Sequence, residues 1–188
     1  MPDVEQQYRD KLITKEDLVN QFKSGQTIFL GVWYGEPYGT IQALSANGAH
    51  LENFNVASGI ATCPSPYMQS PNMLVWSAFY GPQERGALGA NPDNIFYSPY
   101  NFTDGCRLMQ YGRDIDYYIY RVGPMDNRGM FNCSMTAGWE FRALQWLKKN
   151  RPNTKIVFEV NPKLPYVYGL KEFGRNAVPL SLADIVVE

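Results

Sequence analysis

The chain has 188 residues, of which 45% are hydrophobic and 19% charged, with a formal net charge of -1. That is enough length for one domain whose core needs no disulfide or metal, and too even a charge to draw nucleic acid or an anionic membrane by its overall field. Three cysteines, Cys63, Cys106 and Cys133, show no C-x-x-C spacing, which argues against a disulfide framework or a thiolate metal site and fits a reducing, cytoplasmic setting. Residues 1–10 are polar, and no run approaches the roughly 20 apolar residues of a membrane span, so neither a signal peptide nor a membrane helix is expected.

Thr14 with Asp17 three residues on, followed by Leu18, Val19 and Phe22, predicts a capped amphipathic helix stopping near Ser24-Gly25. A buried strand follows at 27–31, then a helix from about Tyr38. His50, the only histidine, falls in the polar connection to the next strand, which excludes a histidine metal cluster and leaves no base for a Ser-His-Asp arrangement. Strands are predicted at 55–59, 73–78, 94–97 and 117–122, with helices at 82–88 and 102–111 between them. The apolar face of 137–149, closed by Lys148-Lys149 and cut off by Pro152, is the clearest helix, and Lys155 to Val160, with its apolar Ile156-Val157-Phe158 run, the clearest central strand. Residues 182–188 end the chain in a further strand pattern. This alternation predicts a single α/β domain over 1–188, with a mostly parallel sheet of six or seven strands flanked by helices on both faces.

In such a sheet, ligands bind beyond the carboxyl ends of the strands. Five Gly/Pro-punctuated loops leave strands there: 31–37, 79–85, 98–102, 123–132 and 160–165. Each has a plain reading as a turn. Gly31-Val32-Trp33-Tyr34-Gly35-Glu36-Pro37 matches no phosphate-binding fingerprint, yet it precedes a helix whose first amides could face an anion or a thioester. Asp126-Asn127-Arg128-Gly129 has the composition of a tight turn. Asn101 could cap a helix or bind a carboxylate. Glu84 and Arg85 read as solvated first-turn residues.

The wording of these loops resembles the amino-terminal half of the acetyl-CoA hydrolase/transferase family, which includes 4-hydroxybutyrate and butyryl-CoA:acetate CoA-transferases. Gly31 to Pro37, with five residues between its ends, is similar to the family's slightly shorter G-x-x-x-x-P turn after the first strand, and Pro99-Tyr100-Asn101-Phe102 to its P-x-N-F. Val122 to Asn132 resembles V-x-P-x-D-x-x-G-x-x-(S/N), and Glu159-Val160-Asn161-Pro162-Lys163-Leu164-Pro165 belongs with it. Met130 and Cys133-Ser134 depart from the commoner residues, which bears on the acyl group and not on the family.

The resemblance spans Tyr8 to Glu188 and implies a CoA-transferase-type fold, related to that of sugar-phosphate isomerases. It also implies a CoA-transferase or acyl-CoA hydrolase that moves coenzyme A between an acyl-CoA and a small carboxylate through a glutamyl-CoA thioester. The family's nucleophilic glutamate and oxyanion loop belong to the carboxyl-terminal half. This chain is therefore expected to be the substrate-side half, without a catalytic residue or metal, inert alone, self-associating, and completed by the other half in cis or in trans. The residues implied to line the substrate cleft are Gly31, Gly35, Glu36, Pro37, Tyr80, Gly81, Asn101, Pro124, Asp126, Gly129, Asn132, Asn161, Pro162 and Pro165. Two other readings stand beside this one, a sugar-phosphate isomerase-like enzyme and a non-catalytic acyl-CoA or carboxylate-binding module.

Overall fold

Thr14 caps its helix as the sequence requires: its hydroxyl oxygen accepts from the Asp17 amide at 3.0 Å and donates to the Asp17 carboxylate at 2.7 Å. The computed structural model describes residues 3–101, 104–105, 114–136, 138, 140–170 and 176–188. Along the chain the elements are α1 (Val4–Lys11), β1 (Leu12–Ile13), α2 (Lys15–Gln21), β2 (Thr27–Leu30), α3 (Tyr38–Asn47), β3 (Phe54–Ser58), β4 (Met73–Ser77) and α4 (Pro82–Ala87). They continue with β5 (Ile95–Tyr97), β6 (Tyr117–Val122), β7 (Met130–Asn132), α5 (Glu140–Asn150), β8 (Lys155–Val160), β9 (Ala177–Pro179) and β10 (Ile185–Val187).

Eight strands form one sheet in the order β1-β10-β8-β6-β2-β3-β4-β5, and every pair in it is parallel. β7 and β9 form a separate antiparallel pair. The expected parallel α/β sheet is therefore present, with more strands than the six or seven predicted. The extra ones are two or three residues long, too short to carry a periodic signal. α1 is also additional: capped by Asp3 and closed by Arg9 and Lys11, it buries no residue, so no apolar stripe announces it. α2 ends at Gln21, one turn earlier than the Ser24-Gly25 signal suggested. The helix predicted at 102–111 lies almost wholly outside the described residues, and the described part of the 137–149 helix is α5.

Alternation along the central strands divides the core in two. Ile28, Leu30, Ile119 and Val157 face the layer of α2 and α3 through Leu18, Val19, Ile41 and Leu44. Tyr118, Tyr120, Ile156 and Phe158 face Ala143, Leu144 and Leu147 of α5 and the β7/β9 pair. Strand order reverses between β2 and β6, so the connections after these two strands diverge to opposite faces and leave a crevice at the carboxyl edge. All five predicted loops leave that edge.

Candidate functional site

The crevice is walled first by the segment after β2. Gly31 and Gly35 have no room for a side chain: a Cβ on Gly31 would stand 2.3 Å from the Gly35 carbonyl oxygen, and one on Gly35 2.6 Å from the Tyr120 ring. The segment turns through a 3-10 helix at Trp33–Gly35, with Trp33 in the left-handed region at φ 58°. Glu36 is buried. One of its oxygens accepts from the Thr62 amide (2.8 Å), the Thr62 hydroxyl (2.6 Å) and the Cys63 amide (3.2 Å), while Oε1 takes no hydrogen bond. Burial raises the Glu36 carboxyl above the usual carboxylate range, against the opposing pull of the Thr62 and Cys63 donors. The Tyr38 hydroxyl lies 2.9 Å from the Thr62 hydroxyl. Since Thr62 spends its proton on Glu36, Tyr38 is the donor there.

The first amides of α3 are not free for an anion. Glu159, from the end of β8, accepts from the Gly39 amide at 2.9 Å and from the Thr40 amide and hydroxyl, each at 2.7 Å. The expectation that this helix start faces a substrate is corrected on that ground: the protein's own carboxylate occupies it. Pro37, buried, closes the turn and accepts from the Ile41 amide through its carbonyl. Beside Glu159 in register stands Arg121. Its Nε and Nη2 donate to the Tyr34 carbonyl at 2.9 and 2.6 Å, and its guanidinium lies 3.9 Å from the centre of the Tyr38 ring.

Glu84 is likewise not the solvated residue that its place in a first helical turn suggested. It is fully buried, accepting from the Gly81 amide (2.9 Å), the Ala61 amide (3.2 Å) and the Ser77 hydroxyl (2.8 Å). It thereby ties the loops after β3 and β4 together. Arg85 is exposed, as read, and donates to the Tyr80 carbonyl. Tyr80 reaches back to the Ile95 carbonyl at 3.1 Å, and Asn101 donates to Asp104 at 3.4 Å.

The segment after β6 folds into a hairpin. Asp126 Oδ1 accepts from the amides of Arg128 and Met130, both at 2.9 Å, and Gly129 takes φ +76° against Val4 of α1. Asp126 and Gly129 thus build a turn that packs against Val4 of α1. Asn132 returns to the carboxyl edge, but its amide is wholly engaged: it donates to the Val167 and Asn176 carbonyls (both 3.0 Å) and accepts from the Ser134 and Val167 amides (2.9 and 3.1 Å). Ser134 adds a bond to the Pro165 carbonyl at 2.8 Å. Asn161 makes its own turn through the Lys163 amide and is joined to the end of β6 by its amide to the Val122 carbonyl. Pro124 and Pro162 both line a cavity of about 520 Å³, together with Tyr8, Met125, Val160 and Glu188.

The structure therefore gathers Gly31, Gly35, Glu36 and Pro37 with Asn132 and Pro165 about the crevice, and Pro124, Asn161 and Pro162 beside a neighbouring cavity. Tyr80, Gly81 and Asn101 stand over the β4/β5 end of the same edge. Sequence reading passed over Arg121 and over the part Glu159 plays. Their signal was a lone charge inside Tyr-Tyr-Ile-Tyr-Arg-Val and Ile-Val-Phe-Glu-Val, runs otherwise built for burial. Among the described residues no group of three or more His, Cys, Asp or Glu could hold a metal ion, and no helix is long and apolar enough to cross a membrane.

Comparison with known proteins places this geometry. The chain is 26% identical over 167 residues to the succinyl-CoA:cyclohexane-1-carboxylate CoA transferase of Geobacter metallireducens, covering 88% of this chain and 36% of that one. It is 27% identical over 191 residues to the butyryl-CoA:acetate CoA-transferase of Anaerostipes caccae, covering 97% and 40%. It thus spans less than half the length of either relative. RipA from Yersinia pestis superposes with a TM-score of 0.79 at 25% identity over 99% of this chain and 44% of that one. The 4-hydroxybutyrate CoA-transferase of Porphyromonas gingivalis shares the fold, with a TM-score of 0.69 at 16% identity over 98% and 40%. Residues 2–187 match the acetyl-CoA hydrolase/transferase N-terminal domain, and the chain belongs to that family.

Proposed function

We propose that this chain forms the substrate-side wall of an enzyme that moves coenzyme A between an acyl-CoA and a small carboxylate, with the glutamyl-CoA thioester forming on a carboxyl-terminal half outside these 188 residues. The observation that carries the reading is the carboxyl edge itself. Loops from five strands meet there, and three buried carboxylates fasten them to one another: Glu36, Glu84 and Glu159 each accept two or more backbone or hydroxyl donors. Trp33, Tyr34 and Phe79 are exposed on these loops, and Met135, Tyr166 and Tyr168 just beyond two of them, an apolar rim suited to a second domain closing over the crevice. Relatives more than twice as long accord with such a second half.

The test is complementation. The purified chain should show no CoA transfer or thioester hydrolysis with acetyl-CoA or butyryl-CoA, and adding the separately expressed carboxyl-terminal half should restore transfer. Turnover by the chain alone would overturn the assignment of the nucleophile to the other half. Association of the two halves without activity toward any acyl-CoA would overturn the transferase reading in favour of a binding module.

A further inference from the structure

Arg121 and Glu159 are each less than 5% exposed, although the residues next to them on that face, Ile119 and Val157, belong to the hydrocarbon core that Ile41 and Leu44 of α3 complete. Burying two charges is costly, and a hydrophobic pair would serve the core as well. What the two side chains hold is one short segment. Arg121 grips the Tyr34 carbonyl with two donors and lies against the Tyr38 ring; Glu159 holds the Gly39 and Thr40 amides. As register partners on adjacent parallel strands they leave the same face side by side, so one pair of charges fixes both ends of residues 34–40.

The segment so gripped begins at a strained point. Trp33 has φ 58°, a conformation that a bulky side chain keeps only where its surroundings over-determine it. The residue is 52% exposed and gains little burial in return. The carbonyl of Trp33 accepts from the Glu36 amide and that of Val32 from the Gly35 amide, both at 3.0 Å, so the turn carrying Trp33 is completed one residue from the Arg121 contact.

We infer that Arg121 and Glu159 are a positioning pair, holding residues 33–40 as a rigid wall and fixing the Trp33 ring where it bears on the carboxylate substrate at the β2/β6 crevice. The substrate role rests on the reading under Proposed function; the clamp itself does not. Neither residue touches the substrate, and both act through the backbone between them.

Two measurements test this. Amide hydrogen exchange on the 188-residue chain reads the clamp alone. Arg121→Lys, which keeps the charge but loses the two-donor fork, should speed exchange of the Gly35 and Glu36 amides at least about tenfold, leaving Val56 and Val75 in the central sheet within about twofold. Unchanged rates, or an equal rise throughout the sheet, would overturn the clamp. In the complemented enzyme, Arg121→Lys should raise KM for the carboxylate about tenfold with kcat within about threefold. Should that variant fold poorly, Trp33→Gly carries the second measurement, since glycine accepts the left-handed backbone and the lost ring is on the surface. An unchanged carboxylate KM in Trp33→Gly would overturn the substrate role. If the wild-type pair transfers no CoA, the functional reading falls while the exchange result still decides the clamp.

Discussion

A Cβ added to Gly35 would stand 2.6 Å from Cε2 of Tyr120, so the backbone after β2 rests directly on a ring of β6. The ring is held in place, because its hydroxyl donates to the Thr136 carbonyl at 2.9 Å and Phe158 packs against it in a T-shaped pair. Gly35→Ala should therefore cost about 1–3 kcal/mol in urea unfolding, the usual penalty for overpacking a filled site. Pairing it with Tyr120→Leu should recover part of that cost, which a double-mutant cycle would register as coupling. A large residue such as Gly35→Trp, attractive as a way to block the crevice, would unfold the loop before it blocked anything.

Glu140 gives a pH dependence. It is buried at the start of α5 with Oε2 unpartnered, and burial raises its carboxyl to about 7, against the opposing backbone bonds from its own amide and Gly138. A carboxyl raised on folding holds its proton longer in the native state than in the unfolded one. Its contribution is thus fully present below the ordinary carboxylate range, near pH 4.5, and is lost as pH climbs toward 7. Glu140→Gln should flatten the stability profile between about pH 5 and 7 and stabilise the protein at pH 8 by on the order of 1–3 kcal/mol. Parallel profiles for the two proteins over that range would refute the shift.

Much of this fold is written in periodicity. The runs Tyr117–Val122 and Lys155–Val160 coincide with their predicted strands to the residue, because centrally buried parallel strands demand unbroken apolar stretches. The wording of the loops, in turn, carried the family. What could not be read was which polar residues of those loops face inward. Glu84 follows Pro82 in a first helical turn, where acidic residues are ordinarily solvated, and only the tertiary approach of Ala61 and Ser77 makes it a buried tie. Asp126 and Gly129 carry the family spacing, yet they serve the turn itself. The β7/β9 pair joins segments more than forty residues apart through three-residue strands, and no local pattern encodes a contact of that kind.

Glu84 and Arg85 offer a direct contrast between neighbours. Glu84→Ala strands three donors, the Gly81 and Ala61 amides and the Ser77 hydroxyl, in a buried place, and should cost about 3 kcal/mol or more. Glu84→Gln keeps acceptor capacity for part of the set and should cost roughly half as much. Arg85→Ala, on the exposed side, should fall within about 0.5 kcal/mol of wild type. Thermal melts of the three variants at one pH suffice, and equal losses for Glu84→Ala and Arg85→Ala would contradict the buried tie.

Asn132 is the sharpest test of what the family spacing means here. An asparagine at the carboxyl edge invites assignment to the substrate, yet its donors go to the Val167 and Asn176 carbonyls and its oxygen to the Ser134 and Val167 amides. All of its capacity is used, half of it in pinning Val167 of the 161–170 segment to β7, with Asn176 donating alongside it to the Val167 and Ser134 carbonyls. Asn132→Ala should therefore lower stability by about 2–4 kcal/mol and speed both exchange at Val167 and proteolysis within 163–170. Asn132→Asp should be no milder, because it keeps the acceptor but sets a carboxylate against two carbonyl oxygens that have lost their donors. Loss of the Val167 protection in step with global stability identifies a pin. A variant of native stability and native Val167 exchange that nonetheless lost carboxylate affinity in the complemented enzyme would return Asn132 to the substrate.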